Sequence, residues 1–363
     1  MSVFERRKTV NVTVGGIGIG SEHPITIQSM TNTDTHNVDA TYDQIMRLHS
    51  AGCEIVRLAV PDIEAASTFA ALKKRNVPLP LVADIHFDYK IALAAIEAGA
   101  DKIRINPGNI GSREKVIAVV KACKERSLPI RIGVNSGSLE KKVLEKYGAP
   151  TAEALAESAL YHASILEDLD FTDILISVKA SNAPTMIKAN RILAQKCNYP
   201  LHLGVTEAGA RDMALVKSSI GIGTLLAEGI GDTVRVSLTS DPVNEISAAR
   251  QILHSLSLDS RPYMDIVSCP TCGRTKISLI SMLEEFERRV DEEGLRGKNI
   301  KVALMGCVVN GPGEAREADV GIAGGIGEGL LFKKGQIIRK IKEEKLIDEL
   351  IREIKLFSDE KGN

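Results

Sequence analysis

Gly99-Ala100-Asp101-Lys102-Ile103-Arg104-Ile105-Asn106 reads as the end of one helix running into a buried strand. The glycine stops the helix. Along the strand, side chains alternate faces, so Arg104 and Asn106 share one face and Ile103 and Ile105 the other. The same arrangement, an acidic residue three positions before an arginine, recurs in Gly52-Cys53-Glu54-Ile55-Val56-Arg57-Leu58 and in Gly231-Asp232-Thr233-Val234-Arg235-Val236. Such repetition marks a fold assembled from similar units. Strand-like β-branched runs are predicted at 25–30, 55–60, 81–86, 102–107, 129–135, 173–179, 201–207 and 233–239, each followed by a helical pattern. Eight such units predict an α/β fold whose N-terminal part is a (β/α)8 TIM-type barrel. A doubly wound open sheet is the alternative, but it does not usually need eight equal units.

In a barrel the outward face packs on helices and must be apolar, so the polar face of each strand points inward. Arg57, Arg104, Arg131, Lys179 and Arg235 then converge from five strands, with Asp84, His86, Asn106, Asn135, Ser177 and Ser237 sharing the inward parity. Barrel interiors are normally filled by branched apolar side chains. Cations packed there need counter-charge. Two readings stand: internal pairing with carboxylates such as Asp84 and Glu207, or an anionic, phosphorylated ligand, for which arginine's fork is suited. His86 is a candidate acid/base and equally a structural hydrogen-bonding residue. His202 begins its predicted strand and so lies low in the barrel. Glu207 ends its strand, where barrel enzymes carry catalytic groups, and is the better candidate for handling protons.

The formal charge of −1 over 363 residues suggests neither nucleic acid nor a membrane surface as partner. The charged start, Met1-Ser2-Val3-Phe4-Glu5-Arg6-Arg7-Lys8, lacks an apolar signal core, and no run is long enough to span a bilayer. Six unevenly spaced cysteines do not read as a secreted disulfide framework, so a reducing cytoplasm is expected. Cys53, Cys123 and Cys197 are read as buried small hydrophobes. Val10–Val14 leading into Gly15-Gly16 is read as a hairpin. The barrel is assigned to 1–255 and a linker to 256–264. A smaller α+β domain follows over 265–363, with strands at 265–268, 300–305 and 318–323, helices at 275–293 and 344–357, and a hairpin at 330–339. Its Gly324–Gly329 run lacks the spacing of a nicotinamide fingerprint.

That domain carries Cys269-Pro270-Thr271-Cys272 and, further on, Cys307. A C-x-x-C pair alone fits zinc, a redox disulfide or an iron–sulfur cluster. All seven histidines precede Cys269, so the histidine of a mixed zinc site is missing locally. The nearest fourth candidate is the carboxylate Glu314. Three soft thiolates with a hard or open fourth position suit a cluster with one exchangeable iron better than structural zinc.

Several motifs together carry a resemblance. They are Ala83-Asp84-Ile85-His86-Phe87, Lys102–Asn109 (KIRINPGN), Arg131–Ser138 (RIGVNSGS), Ser177-Val178-Lys179-Ala180-Ser181, Gly204–Gly209 (GVTEAG), Cys269–Arg274 (CPTCGR) and Met305–Glu314 (MGCVVNGPGE). Over nearly its whole length the chain resembles the bacterial 4-hydroxy-3-methylbut-2-enyl diphosphate synthase family, in its compact form without an inserted domain. The resemblance implies reductive dehydroxylation and ring opening of 2-C-methyl-D-erythritol 2,4-cyclodiphosphate in isoprenoid biosynthesis. It implies one 4Fe–4S cluster per chain on Cys269, Cys272, Cys307 and Glu314. It places the cyclic diphosphate among Arg57, Arg104, Asn106, Arg131, Asn135, Ser177, Lys179, Arg235, Ser237 and Asn310; the candidate catalytic groups are Glu314 beside the cluster and, from their places on the strands, Asp84, His86 and Glu207. Flavodoxin or ferredoxin would deliver electrons, and the enzyme would be a head-to-tail homodimer.

Overall fold

The computed structural model describes residues 4–308 and 315–361. It divides into two compact units, Met1–Asp259 and Ser260–Asn363. In the first, strands β1 (Val12–Val14) and β2 (Ile17–Ile19) form an antiparallel hairpin in which Val12 faces Ile19. Gly15 and Gly16 make its two-residue turn, both at positive φ, the conformation such turns demand.

Eight parallel strands follow: β3 (Thr26–Met30), β4 (Ile55–Ala59), β5 (Leu81–Asp84), β6 (Lys102–Ile105), β7 (Ile130–Asn135), β8 (Ile174–Lys179), β9 (His202–Leu203) and β10 (Thr233–Val234). Their order is β8-β7-β6-β5-β4-β3-β10-β9. A further parallel bridge between Ile176 and Leu201 brings the two ends of that order together, so the sheet is a barrel. The expected barrel is therefore the observed fold. Outward side chains such as Val56, Leu58, Ala83, Ile103, Ile105, Ile132 and Val178 are fully buried in the main core beneath the helices. Those helices start cleanly: Asn37, Asp62, Asp88, Thr151, Asn182 and Asp241 each accept a backbone N–H of the first turn.

The hairpin closes the amino-terminal end of the barrel. Val12, Val14 and Ile19 pack with Ile55, Val82 and Leu175, low residues of β4, β5 and β8 on the inward parity. Apolar filling thus predominates at that end, although Lys102 and His202 are buried at the starts of β6 and β9, and most of the polar inward residues lie towards the carboxyl ends of the strands.

Two strands are shorter than their hydrophobic pattern predicts. Residues 204–207 and 235–239 leave the ladder beyond β9 and β10. A Cβ at Gly204 would stand 2.7 Å from the carbonyl oxygen of Arg235, so the two segments touch backbone to backbone. The Leu238 N–H donates to the Glu245 carboxylate and not to a strand.

In the second unit β11 (Met264–Ser268), β12 (Ile300–Met305) and β13 (Val320–Gly324) are parallel. Then β14 (Glu328–Lys333) and β15 (Gln336–Lys342) continue the sheet antiparallel. Helices Leu279–Glu292 and Leu346–Lys361 cover it with Phe286, Val290, Leu350, Ile351 and Ile354. The first helix begins four residues later than expected. Thr275 and Lys276 instead commit their N–H groups to the carbonyls of Cys272 and Gly306. The hairpin is longer at both ends than expected, and the last helix starts at Leu346.

Candidate functional site

At the carboxyl ends of the barrel strands Arg57, Asp84, His86, Arg104, Arg131, Asn135, Ser177, Lys179, Thr206, Arg235 and Ser237 line one narrow cavity of 80 Å³. The five cations therefore do converge. Asp84 holds two of them: its Oδ1 lies 3.1 Å from Arg104 Nη1 and its Oδ2 3.6 Å from Arg57 Nε. Arg57 also donates to Met30 Sδ at 2.8 Å. Arg104 donates to the Gly133 carbonyl at 3.3 Å, and His86 Nε2 stands 3.5 Å from its Nη1. Arg235 is paired from behind with Glu245 at 3.4 Å.

Lys179 and Arg131 are the exceptions. Arg131 is almost wholly buried and donates to the amide oxygen of Gln28 at 3.1 Å. Among the described residues neither Arg131 nor Lys179 has a carboxylate within ion-pair distance. Burial, reinforced by neighbouring cations, holds both groups well below their ordinary pKa. Burial likewise lowers Arg57 to about 10, with Asp84 opposing. Asp84 is the converse: burial alone would raise it, but Arg57 and Arg104 outweigh that and hold it at about 2. Five cations against two carboxylates is an interior short of negative charge, which phosphoryl oxygens would supply.

Other expected residues fall differently. Asn106 is buried at the end of β6, outside the cavity lining. Glu207 is exposed, in left-handed backbone at φ 50°, and Thr206 takes the lining position beside it. His202 is buried at the start of β9, its Nδ1 paired with the Thr233 hydroxyl; burial keeps it neutral. Three participants escaped the sequence reading. Lys102 and Gln28 share inward parity with Arg104 and Ser177, a signal that was present. Glu245 sits one turn into the helix Pro242–Ser255, where nothing in the sequence separates it from a surface glutamate.

The thiols occupy the carboxyl ends of β11 and β12. These strands pair in parallel with Ser268 opposite Leu304, so Cys269 and Cys307 leave the sheet on adjacent loops. The Gly306 N–H donates to Cys269 Sγ at 3.2 Å. The Cys272 turn is closed by its N–H to Thr275 Oγ1 at 3.1 Å, and the Lys276 N–H ties it to the Gly306 carbonyl at 3.1 Å. All three cysteines are free thiols. Hydrogen bonds from Arg274, backbone first and then side chain, lower the Cys272 pKa. Thiols with N–H donors and a cation beside them are environments that favour thiolate, the form that binds iron. The donor set therefore fits an iron–sulfur group, although among the described residues no three His, Cys, Asp or Glu side chains are drawn into a formed ligand set. Glu314 and Asn310 lie outside the described residues. Cys53 and Cys123 are buried with thiols pushed up to about 12, and Cys197 is half-buried.

Comparison with known proteins adds identity to this geometry. The GcpE TIM-barrel domain matches residues 9–250, and the GcpE protein C-terminal domain matches 265–356. A relative from Clostridium perfringens named 4-hydroxy-3-methylbut-2-en-1-yl diphosphate synthase (flavodoxin) is 61% identical over 349 residues, covering 96% of this chain and 99% of its own. One of the same name from Clostridium acetobutylicum is 58% identical, covering 97% and 99%. A solved type I 3-dehydroquinate dehydratase from Clostridium difficile superposes with a TM-score of 0.50 at 14% identity, over 68% of this chain and 98% of its own, a likeness of fold alone. Matched in order by both domains and by relatives along nearly its full length, the chain belongs to the GcpE family.

Proposed function

We infer that this chain opens the ring of 2-C-methyl-D-erythritol 2,4-cyclodiphosphate reductively to give (E)-4-hydroxy-3-methylbut-2-enyl diphosphate, as its relatives' name implies. Two electrons and a proton enter, one ring carbon–oxygen bond breaks, and a hydroxyl leaves as water. The observation that carries the reading is the cavity itself: five cations face two carboxylates in a chain that also presents three free thiols on neighbouring loops.

Arg57, Arg104, Arg131, Lys179 and Arg235 hold the two phosphoryl groups, and Asn135, Ser177 and Ser237 supply neutral hydrogen bonds around them, with Asn106 reaching the ligand only if it turns in from just outside the lining. Asp84, ionised down to about pH 2, orients Arg57 and Arg104 and is no proton donor at neutral pH. Proton delivery then falls to His86 at the cavity or Glu207 beside it. Cys269, Cys272, Cys307 and Glu314 hold one 4Fe–4S cluster per chain, with Asn310 near the substrate. That cluster, when bound, supplies the electrons one at a time. Flavodoxin, which the relatives' names specify, is the electron donor.

The active form is a cytoplasmic homodimer, in keeping with its unpaired cysteines. Met213, Val216 and Ile220 form an exposed apolar stripe on the helix Arg211–Ala227 that a second copy would cover. Among the described residues no helix is long and apolar enough to cross a membrane.

The test is turnover. Anaerobically purified, iron-loaded protein with dithionite should convert the cyclic diphosphate to the open diphosphate. Intact cluster absorbance without conversion refutes the reading.

A further inference from the structure

Glu245 is a buried carboxylate that no part of the reaction uses, and its contacts are unusual for a helix residue. Its Oε2 accepts from Ser29 Oγ at 2.8 Å and lies 3.4 Å from Arg235 Nε. Its Oε1 lies 3.4 Å from Arg235 Nη2 and accepts the Leu238 N–H at 3.2 Å. Both edges of the carboxylate are therefore spent on the fork of Arg235 and on the loop that follows it. Arg235 Nη1 donates to Met30 Sδ at 3.6 Å and is the guanidinium nitrogen that Glu245 does not hold, and Ser237, between the two tethered residues, lines the cavity.

We propose that Glu245 is a positioning residue for the diphosphate. Gripping Nε and Nη2 of Arg235 from behind, it turns Nη1 towards the ligand, and through the Leu238 N–H it fixes the loop carrying Ser237. β10 ends at Val234, and after the Arg235 N–H to the Leu203 carbonyl at 2.9 Å no strand ladder holds residues 236–238. The carboxylate replaces the missing ladder, and its charge keeps a half-buried guanidinium from folding back on Arg57. The proposal rests on the reading that Arg235 binds the substrate.

Glu245→Gln tests it in the iron-loaded enzyme. Whichever way the amide turns, its NH2 meets an N–H of Arg235, so one grip becomes a repulsion while volume is kept. Arg235 contacts phosphoryl oxygens in ground and transition states alike, so KM for the cyclic diphosphate should rise at least about tenfold with kcat changed less than about threefold. Added to Arg235→Ala, Glu245→Gln should raise KM no further, because without the guanidinium the amide can turn its oxygen to the Leu238 N–H and keep the Ser237 loop, so that only the lost grip on Arg235 counts. Ser29→Ala, which removes the contact on the barrel-wall side, should leave KM within about twofold. An unchanged KM in Glu245→Gln overturns the proposal. So does a lowered Tm and kcat at constant KM, the mark of a merely structural carboxylate, or a full multiplicative effect in the Arg235→Ala background. If Arg235→Ala itself binds normally, the substrate assignment of Arg235 fails and the positioning role falls with it.

Discussion

Asp84 sits where the charge balance of the barrel is decided, because one carboxylate answers Arg104 at 3.1 Å and Arg57 at 3.6 Å. Its folded pKa, about 2, lies below the ~4 of an unfolded aspartate. The stability it contributes is complete above that unfolded value and drains away as pH falls through it towards about 2. A depression of this size corresponds to about 2 kcal/mol. Urea midpoints measured from pH 7 to pH 2 should therefore show wild type converging on Asp84→Asn at the acid end; parallel curves would contradict the pairing. Lys179 predicts the opposite sign. It is a buried cation with no carboxylate partner among the described residues, so Lys179→Met should raise Tm while weakening substrate binding. A lower Tm would mean that Lys179 is compensated within the protein.

Single strands show why inward parity was legible and its supports were not. A period of two assigned Arg57, Arg104, Arg131, Lys179 and Arg235 to one interior, because an outward cation would sit under a helix. Lys102 and Gln28 obey the same rule. The place of Lys102 at the start of β6 and the neutral amide of Gln28 hid them among ordinary barrel filling. Glu245 answers Arg235 across a helix–strand contact that no local period encodes. The lengths of β9 and β10 were also beyond the pattern, since Gly204 and Arg235 meet through tertiary contact. Gly133 exposes the tightness of this layer: a Cβ there would stand 2.2 Å from Arg104 Nε, the side of a guanidinium whose other end is held by Asp84. Gly133→Ala should thus displace Arg104 and weaken the substrate at least about tenfold, the order of one charge-assisted contact. Gly137→Ala, with nothing within 4 Å of the added methyl among the described residues, is its neutral control. Equal KM values for the two would show that Arg104 does not need its observed place.

For the chain as a whole, spacing announced three thiols, but the register of β11 with β12 is what sets Cys269 and Cys307 on adjacent loops. Cys272→Ala should lose iron and visible absorbance while the barrel still binds the diphosphate, because the two units have separate cores. Mixing Arg104→Ala with Cys272→Ala should restore some turnover if a homodimer lets one chain's cluster serve the other's substrate. Demonstrated heterodimers without activity would confine the reaction to one chain. The claim on which all of this depends is that the barrel's surplus of positive charge is the diphosphate site. Calorimetric titration of the oxidised holoenzyme, which binds but cannot turn over without a reductant, measures it directly. The account predicts saturable binding of one cyclic diphosphate per chain, weakened at least about tenfold in Arg131→Met; equal affinity in wild type and Arg131→Met would contradict it.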